Sequence, residues 1–472
     1  MPSPLFMTAT ELAAAYRAHK LSPVEVLEAV IDRAAGVQEA LNPFALIDAA
    51  AARDAAEASH ARLRDNQALS VLDGVPVAMK DNVQVKGQPR RHGSRMYEHA
   101  APEAEDAPVP ATLRAAGAVM WSRTTMPDLG WKALNDSPLY GLTGNPWNPK
   151  LSPGGSSGGS AVAVMTGCGP LASGGDGGGS IRVPAAWCGA VGIKGTTGRV
   201  PTLFEAATAT LVSNGPLARS VLDAAHYMAI TCRPDPRDPI TGALQLPDFV
   251  AACGAGVAGL RIALSRTIGF AEAGRDAHCL DQAAKVLRDA GATVVEAEPP
   301  LWHAEAAFAA MWHSAHALSL ADTPADRMVL ADPGLVDSAR QGWRLDPGTD
   351  RKAQMEANKL MRALIGFFAG SGTSPGFDLM LCPMMPVAPL TSGHGLDTPD
   401  CVKYPNWWDW TNFTWPFNMT RSPGASVPWG VHADGLPSAV QLIAPHFRED
   451  TVFRAAAVLE AAQPVVVPPA WA

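Results

Sequence analysis

The residues whose types and spacing could do chemistry lie in two glycine- and serine-rich segments. The first covers residues 154–160 (GGSSGGS) and the second residues 176–182 (DGGGSIR), which places Ser156 and Ser180 24 residues apart. Glycine tolerates positive φ and lets other groups approach the backbone closely, so such loops can build a site from N–H groups and hydroxyls. A flexible linker is the competing interpretation, but the residues that follow each segment are too apolar for one.

Three kinds of chemistry could use these segments. A phosphate-binding loop would need Gly-x-x-x-x-Gly-Lys-Ser/Thr, which is not completed here because Lys194 follows an isoleucine and precedes a glycine. A hydrolase elbow would need Gly-x-Ser-x-Gly after a strand, and residues 154–158 match those letters, but residues 148–153 (NPKLSP) cannot form a buried strand. The third is a serine nucleophile whose base is a lysine in apolar surroundings.

A lysine for this third chemistry follows an apolar run. Lys80 ends the stretch VPVAMK that begins at Val75. Burial disfavours the charged form of an amine and lowers its pKa, and a neutral amine can take a proton from a hydroxyl. Most lysines are exposed, however, so residue type alone leaves the end of an exposed strand as the competing interpretation of Lys80.

Five motif stretches resemble those of a known family, and this resemblance favours one of the interpretations. They are residues 74–82, 136–149, 152–160, 174–198 and 214–216. In order and spacing these stretches closely resemble the amidase signature family, whose catalysis uses a serine, a second serine after a cis peptide bond, and a lysine. The resemblance is strong over residues 70–225 and weaker over residues 377–389 and 423–445.

The resemblance implies a role for each motif residue. Ser180 is the expected nucleophile, Ser156 after a cis peptide is the expected proton relay, and Lys80 is the expected base. No cofactor and no metal are expected. The remaining expected roles are oxyanion binding by the N–H groups of Gly177, Gly178, Gly179 and Ser180, and support of the centre by Ser157, Arg182 and Asp176.

The sequence departs from the family pattern at three glycines. Many family members have threonine where this chain has Gly175 and Gly177, and proline where it has Gly195. Because Gly177 lies beside the nucleophile, we expect its missing side chain to widen the pocket floor or loosen the loop. The A-type subunits of glutamine amidotransferases usually carry the threonine at this position, which argues mildly against that function.

Two further groups of residues are candidates for substrate contact. His313 and His316 lie one helical turn apart, but no metalloprotease pattern accompanies them, so packing or pocket lining is the favoured interpretation. Residues 404–417 hold four of the 13 tryptophans, and such density is also typical of an aromatic core. The irregular stretch favours pocket lining, so Trp408 and Trp410 are expected to bind an apolar substrate group. Three residues lie between the motifs where the family's substrate cleft begins, namely Met126, Asp128 and Asp136. Of these, only Met126 is expected to bind the substrate.

Composition limits the class of protein. The chain has 472 residues, 37 Lys and Arg against 45 Asp and Glu, and a formal net charge of −8, which argues against a nucleic-acid partner. The seven cysteines are scattered without a Cys-x-x-Cys pair, so neither a disulfide framework nor a zinc site is indicated. The first 13 residues do not resemble a secretory signal, and no run of 18 apolar residues occurs, so we expect a cytoplasmic protein without a membrane partner.

Helical and strand-like segments alternate in a way that predicts the fold class. Capping patterns at Thr8 and Ser22 open two helices, and from residue 70 short apolar runs alternate with helical stretches. We expect one α/β domain with a twisted mixed β-sheet flanked by helices on both faces. Its expected parts are N-terminal helices (1–65), the signature core (70–225), a variable helical portion (236–375) and a C-terminal part that completes the sheet and cleft (376–472).

The expected function follows from the resemblance. It is hydrolysis of a C–N bond in small, largely apolar amides through a serine acyl-enzyme. Aryl and alkyl amides, anilides, carbamates (urethanes) and nylon-type oligoamides all present a suitable carbonyl. The alternative is the A-type subunit of a glutamine amidotransferase complex that amidates tRNA. For the amidase we expect a small-molecule substrate as partner and a monomer or homodimer.

Overall fold

The computed structural model describes residues 3–203, 208, 210–238, 241, 245–269, 274–302, 304–372, 374–393, 403–404 and 406–472. The helices are α1 (Ala9–Arg17), α2 (Pro23–Leu41), α3 (Ala49–Arg64), α4 (Pro108–Ala115), α5 (Gly158–Met165), α6 (Arg182–Cys188), α7 (Val221–Thr231), α8 (Phe249–Gly254), α9 (Ala277–Asp289), α10 (Glu305–Ser319), α11 (Ala325–Met328), α12 (Pro333–Trp343), α13 (Thr349–Ala369), α14 (Pro416–Met419) and α15 (Glu449–Ala462). Short 3₁₀ helices cover Pro4–Phe6, Arg95–Tyr97, Asp128–Gly130 and Trp407–Asp409. The strands are β1 (Phe44–Ile47), β2 (Pro76–Lys80), β3 (Val119–Thr124), β4 (Asp136–Ser137), β5 (Gly141–Leu142), β6 (Leu171–Asp176), β7 (Val191–Lys194), β8 (Ser213–Ala218), β9 (Arg261–Leu264), β10 (Thr293–Glu296), β11 (Gly370–Ser371), β12 (Ser374–Pro375), β13 (Leu379–Pro383), β14 (Gly424–Val431) and β15 (Pro437–Ile443).

The first two helices begin at the predicted caps. The Thr8 hydroxyl accepts the N–H of Glu11 at 3.1 Å, and the Glu11 carboxylate accepts the N–H of Thr8 at 2.8 Å. Ser22 and Glu25 repeat the arrangement at the start of α2, with Pro23 in the first helical position. Each reciprocal pair satisfies two backbone donors that the helix itself leaves without a partner.

A single mixed sheet organises the chain. Among the described residues, eleven strands form it in the order β1-β3-β2-β6-β8-β7-β14-β15-β13-β9-β10. Strand β2 runs parallel to β3 and β6, β9 runs parallel to β13 and β10, and the other neighbours are antiparallel. The predicted mixed α/β fold is thereby confirmed.

Helices cover both faces of this sheet, as strand β2 shows. Val77 and Met79 pack on one face in a buried cluster that includes Leu113 of α4. Ala78 faces the opposite side, in a cluster that includes Val30 of α2 and Val164 of α5. A strand with both faces buried is apolar along its whole length, which accounts for the continuous apolar run of β2.

This arrangement brings the two glycine-rich loops to one edge of the sheet. Strands β2 and β6 are parallel neighbours, so their carboxyl ends, with Lys80 and Asp176, lie at the same edge. The loop after Asp176 leads into α6, and residues 154–157 lead into α5. Clefts at the carboxyl ends of parallel strands are common binding positions in α/β proteins. Within the ranges given above, no helix is long and apolar enough to cross a membrane.

Candidate active site

Lys80 is buried and contacts two serines of the first glycine-rich segment. Its side chain is 1% exposed, and its Nζ lies 2.7 Å from Ser156 Oγ and 2.8 Å from Ser157 Oγ. The backbone N–H of Lys80 donates to Ser173 Oγ at 2.8 Å, which fixes the end of β2 against β6. Burial lowers the pKa of Lys80 to about 7, against the smaller opposite effect of the Asp176 carboxylate. An amine with this pKa is available near neutral pH as a base.

Ser156 lies beside Lys80 on the wall of a cavity. The peptide bond between Gly155 and Ser156 is cis. A Cβ on Gly155 would lie 2.3 Å from the carbonyl oxygen of Leu134, so only glycine fits beside Ser156. Both Ser156 and Lys80 line the cavity described below.

Ser180 lies on the loop between β6 and α6. It lines the same cavity as Lys80 and Ser156 and is 8% exposed. Its carbonyl oxygen accepts the N–H of Ser157 at 3.1 Å, which joins the two glycine-rich loops. The structure therefore brings the three sequence-predicted catalytic residues to one cavity.

A buried ion pair holds the loop that carries Ser180. Asp176 accepts the Nε and Nη2 of Arg182 at 2.9 and 3.0 Å, and both side chains are fully buried. Burial opposes the charge on Asp176, but the Arg182 guanidinium outweighs it and holds the pKa of that carboxyl below its usual range. Arg182 also donates to Asn418 Oδ1 at 2.7 Å and to Gln441 Oε1 at 2.9 Å. These contacts fix the loop against the C-terminal part of the chain.

The carboxylate of Asp176 accepts a hydrogen bond from Gly179, one of the predicted oxyanion donors. The N–H of Gly179 donates to Asp176 Oδ1 at 2.8 Å, so it is already engaged. Among the described residues, the N–H groups of Gly177, Gly178 and Ser180 have no hydrogen-bond acceptor. The expected set of four donors is therefore reduced to these three, because Gly179 helps to close the loop onto Asp176.

The cavity beside these residues has a volume of about 400 Å³. Pockets of 300–1,000 Å³ are usual for small-molecule sites. Apolar side chains that include Met126, Val109 and Val212 share its wall with polar residues such as Asn214 and His92. Met126 thus lies where the sequence predicted a substrate contact.

Trp312 takes the space that the missing side chain of Gly177 leaves. A Cβ at position 177 would lie 3.2 Å from Val212 Cγ2 and 3.4 Å from Trp312 Cζ3. The indole Nε1 of Trp312 donates to the carbonyl oxygen of Trp131 at 3.0 Å, which fixes the ring. Val212 and the Trp312 indole therefore occupy the space beside Gly177, so the expectation that the missing side chain widens the pocket floor was wrong.

Trp408 and Trp410 lie in the aromatic core and not on the cavity wall, which differs from the prediction of substrate binding. Trp410 is 2% exposed and stacks on Trp187 with ring centroids 5.1 Å apart. Trp408 packs edge-on against Phe308 and Trp407. The rings of this segment pack in the core, and the sequence pattern does not distinguish this packing from pocket lining.

Truncation of Trp410 tests this placement. We expect Trp410→Ala to lower the free energy of unfolding by about 3–5 kcal/mol, as removal of a large buried ring does. The ratio of turnover rates between an anilide and an alkyl amide should stay unchanged, because Trp410 does not face the cavity. Urea denaturation and steady-state kinetics measure the two quantities. A changed ratio with little loss of stability would return Trp410 to the substrate site.

The two histidines and the two acidic residues singled out in the sequence have separate places. His316 lines the cavity and is 3% exposed, whereas His313 lies behind it. Lys132 Nζ lies 2.7 Å from Asp136 and 3.1 Å from Asp332, and Asp128 accepts the N–H of Asp332 at 2.8 Å. Both acidic residues therefore belong to a buried network behind the wall. In the part of the chain that the structure describes, no group of His, Cys, Asp and Glu is placed to hold a metal ion.

Sequence reasoning missed the residues that come from distant parts of the chain. Trp312 was not a candidate, although its spacing of four residues from His316 places both on one face of a helix. Asn418 and Gln441, which hold Arg182, carry no recognisable spacing because they lie 236 and 259 residues from it in the chain.

The pKa of Lys80 predicts a pH dependence. Only the neutral amine accepts a proton, so kcat/KM should be constant above the pKa of about 7 and fall about tenfold per pH unit below it. Burial lowers the pKa of the cavity residues His92 and His316 to about 3, which removes both from this pH range. Burial raises the pKa of Asp128 to about 7, so Asp128→Asn is the control and should keep the acidic limb. A flat profile between pH 5 and 9 would contradict the role of Lys80.

Comparison with known proteins identifies the family of this chain. A family model described as Amidase matches residues 25–453. The chain is 34% identical to an acylamidase of Rhodococcus erythropolis over 97% of this chain and 96% of that one. It is 36% identical to the A-type subunit of a glutamyl-tRNA(Gln) amidotransferase of Acidothermus cellulolyticus, with 96% and 94% covered.

Solved structures agree as well. A bacterial aryl acylamidase of the amidase signature family superimposes with a TM-score of 0.89 at 27% identity, covering 98% of this chain and 97% of that one. A 6-aminohexanoate cyclic dimer hydrolase complexed with substrate superimposes with a TM-score of 0.89 at 25% identity, covering 99% and 100%. The chain belongs to the amidase signature family and is an amide-hydrolysing enzyme.

Proposed function

We propose that the protein hydrolyses a C–N bond in small, largely apolar amides through an acyl-enzyme on Ser180. The observation that carries this proposal is the 2.7 Å contact between Lys80 Nζ and Ser156 Oγ, beside a cavity that Ser180 shares. A lysine with a lowered pKa against a hydroxyl is the arrangement that serine activation without histidine requires.

In the proposed acylation, the proton of Ser180 Oγ passes through Ser156 Oγ to neutral Lys80. Ser180 Oγ then bonds to the amide carbonyl carbon, and the negative charge moves to the carbonyl oxygen. The free N–H groups of Gly177, Gly178 and Ser180 are the proposed donors to this oxygen, and each such donor contributes about 3 kcal/mol. The C–N bond breaks as the amine nitrogen takes back the proton from Lys80 through Ser156.

In the proposed deacylation, water repeats the sequence. It gives a proton through Ser156 to Lys80 and bonds to the acyl carbon, and the bond to Ser180 Oγ breaks as that oxygen regains its proton. The buried pair of Asp176 and Arg182 takes no proton in this scheme. Its proposed role is to hold the loop, because both side chains are buried and fully engaged.

The cavity wall supports an apolar substrate. Met126, Val109, Val212 and the indole of Trp312 offer apolar surface close to the proposed reacting groups. Anilides, aryl or alkyl amides, carbamates and nylon-type oligoamides are the proposed substrate class. The acylamidase and aryl acylamidase among the relatives support it, as their names describe amide-cleaving enzymes.

The A-type subunit of a tRNA-amidating complex is the second candidate. The 36% identity to a protein of that kind over nearly the whole chain favours it. Its function would be to release ammonia from glutamine within a complex. The two candidates therefore differ in whether amides other than glutamine are hydrolysed.

A matched substrate panel separates the candidates. The panel is glutamine, a simple primary amide, an anilide and an anilide-derived carbamate, with release of ammonia or aniline as the readout. We expect turnover of the anilide, the carbamate or both, and none by Ser180→Ala. Activity on glutamine alone would favour the amidotransferase function, and activity that survives the substitution would overturn the assignment of the nucleophile.

A further inference from the structure

One face of α10 forms a continuous part of the cavity wall. Trp312, His316 and Ser319 are spaced by four and three residues, and all three line the cavity. Residues at this spacing share one helical face, and His316 lies about 6 Å further along the helix axis than Trp312. Trp312, together with Val212, also lies against Gly177 in the proposed nucleophile loop. Along this wall, the indole of Trp312 therefore lies between the loop at Gly177 and the imidazole of His316.

The imidazole of His316 is held from behind by a shared hydroxyl. Ser338 Oγ on α12 lies 2.7 Å from His316 Nδ1 and 2.8 Å from His313 Nδ1. The ring of Trp312 lies edge-on to His316 with centroids 5.2 Å apart. Within the described ranges, no residue lies at hydrogen-bond distance from His316 Nε2. The nitrogen left for a cavity ligand is therefore Nε2.

The shared hydroxyl couples the protons of the two histidines. Ser338 has one proton, so it donates to one Nδ1 and accepts an N–H from the other. Burial lowers the pKa of both imidazoles, to about 3 for His316, so both are neutral. When Ser338 donates to His316 Nδ1, Nε2 carries a proton and is a donor; when Ser338 donates to His313, Nε2 of His316 is an acceptor. The two arrangements contain the same number of protons.

We propose that His316 is a specificity-determining residue: its Nε2 hydrogen-bonds a polar substituent at the far end of a substrate ring that lies along Trp312. The bridge from Ser338 to His313 lets the same nitrogen act as donor or acceptor, so both hydroxyl and ether substituents are accepted. This inference rests on the proposed function, since it names the part of the amide substrate that the wall recognises. It predicts discrimination between substituents of similar size and different polarity.

The test uses aromatic amides with a para-hydroxyl, para-methoxy or para-methyl group, placed either on the aniline ring or on a benzoyl ring. For each enzyme, the preference is the kcat/KM of the hydroxyl or methoxy compound divided by that of the methyl compound. In one of the two series this preference should be about tenfold larger in the wild type than in His316→Phe. Intrinsic reactivity cancels in this comparison because each compound is measured with both enzymes.

Variants of Ser338, which bridges the two histidines, and of the exposed residue Leu318 complete the experiment. Ser338→Ala should reduce the discrimination and Ser338→Thr, which keeps a hydroxyl, should restore it. Leu318→Ala, at a residue of the same helix that is 68% exposed, is the matched control and should change neither the discrimination nor the turnover of the methyl compound. Equal substituent preferences in wild type and His316→Phe in both series would overturn the proposal.

Calorimetry separates this proposal from the proposed function. The same compounds are titrated into Ser180→Ala, with and without His316→Phe, so that discrimination is measured without turnover. If Ser180→Ala discriminates in binding and loses this with His316→Phe, while the wild type hydrolyses none of the compounds, the proposed function alone would be overturned. Hydrolysis without discrimination would overturn the role of His316 alone, and the absence of both would overturn both.

Discussion

Ser180→Ala is expected to lower kcat for the preferred amide by about 10⁴-fold or more, with folding unchanged. The reason is that the proposed reaction begins with a bond between Ser180 Oγ and the carbonyl carbon, and alanine has no atom that can form it. The loop should keep its geometry. Its closure depends on the N–H of Gly179 and on the buried pair of Asp176 and Arg182, none of which involves the Ser180 hydroxyl.

A second buried serine supplies the control for this variant. Ser160 lies in the other glycine-rich segment, where its hydroxyl donates to the Ser173 carbonyl at 2.9 Å, and it does not line the cavity. Ser160→Ala should therefore retain turnover per folded molecule. Initial rates and circular dichroism measure both variants. Retention of more than a few per cent of kcat by Ser180→Ala would show that another residue is the nucleophile.

Lys80→Met is expected to lower kcat by about 10³–10⁴-fold, the contribution of a well-placed general base. Methionine has a similar length and suits the buried site, but it has no amine to accept the proton that Ser156 relays. KM should change little, because the amine contacts Ser156 and Ser157 and not an apolar substrate group. The loss should not recover at high pH, since no titratable group replaces the lysine.

Lys194 provides a matched control because it is a buried lysine whose pKa burial also lowers to about 7. Its Nζ donates to the carbonyl oxygens of Ser422 and Gly195, and it does not line the cavity. Lys194→Met should lower stability and leave kcat of the folded enzyme within about threefold, as expected for a residue outside the cavity. Equal losses of kcat in the two lysine variants would mean that Lys80 acts through folding and not as a base.

Elements determined by local patterns could be predicted from the sequence. The helix starts at Thr8 and Ser22 depend on side chains three residues away, and the predicted capping boxes are present. The apolar run before Lys80 forms β2 with nearly the predicted bounds. Such features are readable because contacts within a few residues decide them.

Elements determined by distant partners were placed less well. The apolar run of residues 168–172 predicts a strand there, but β6 covers Leu171–Asp176 and continues through two glycines. Glycine disfavours an isolated strand, and β6 extends because β2 and β8 hydrogen-bond to it on either side. The division of the chain into the four parts of one domain stays a prediction.

For the site, the motif residues were predictable, whereas Trp312 on the cavity wall was not, and His316 was a candidate only for packing or pocket lining. The two serines and the lysine carry a fixed order and spacing, and the structure brings them to one cavity. Trp312 and His316 lie on a helix of the variable portion, where no motif marks them. The tryptophans at 408 and 410 attracted the prediction instead because aromatic residues in an irregular segment occur both in pockets and in cores.

Trapping of the acyl-enzyme tests the central claim most directly. The enzyme is mixed with an activated aryl ester or carbamate that acylates quickly and deacylates slowly, quenched with acid and digested, and its peptides are analysed by mass spectrometry. We predict one acyl group, on Ser180, and no acyl group in Ser180→Ala. Acylation of Ser156 or of any other residue, or full turnover without a covalent intermediate, would contradict the account.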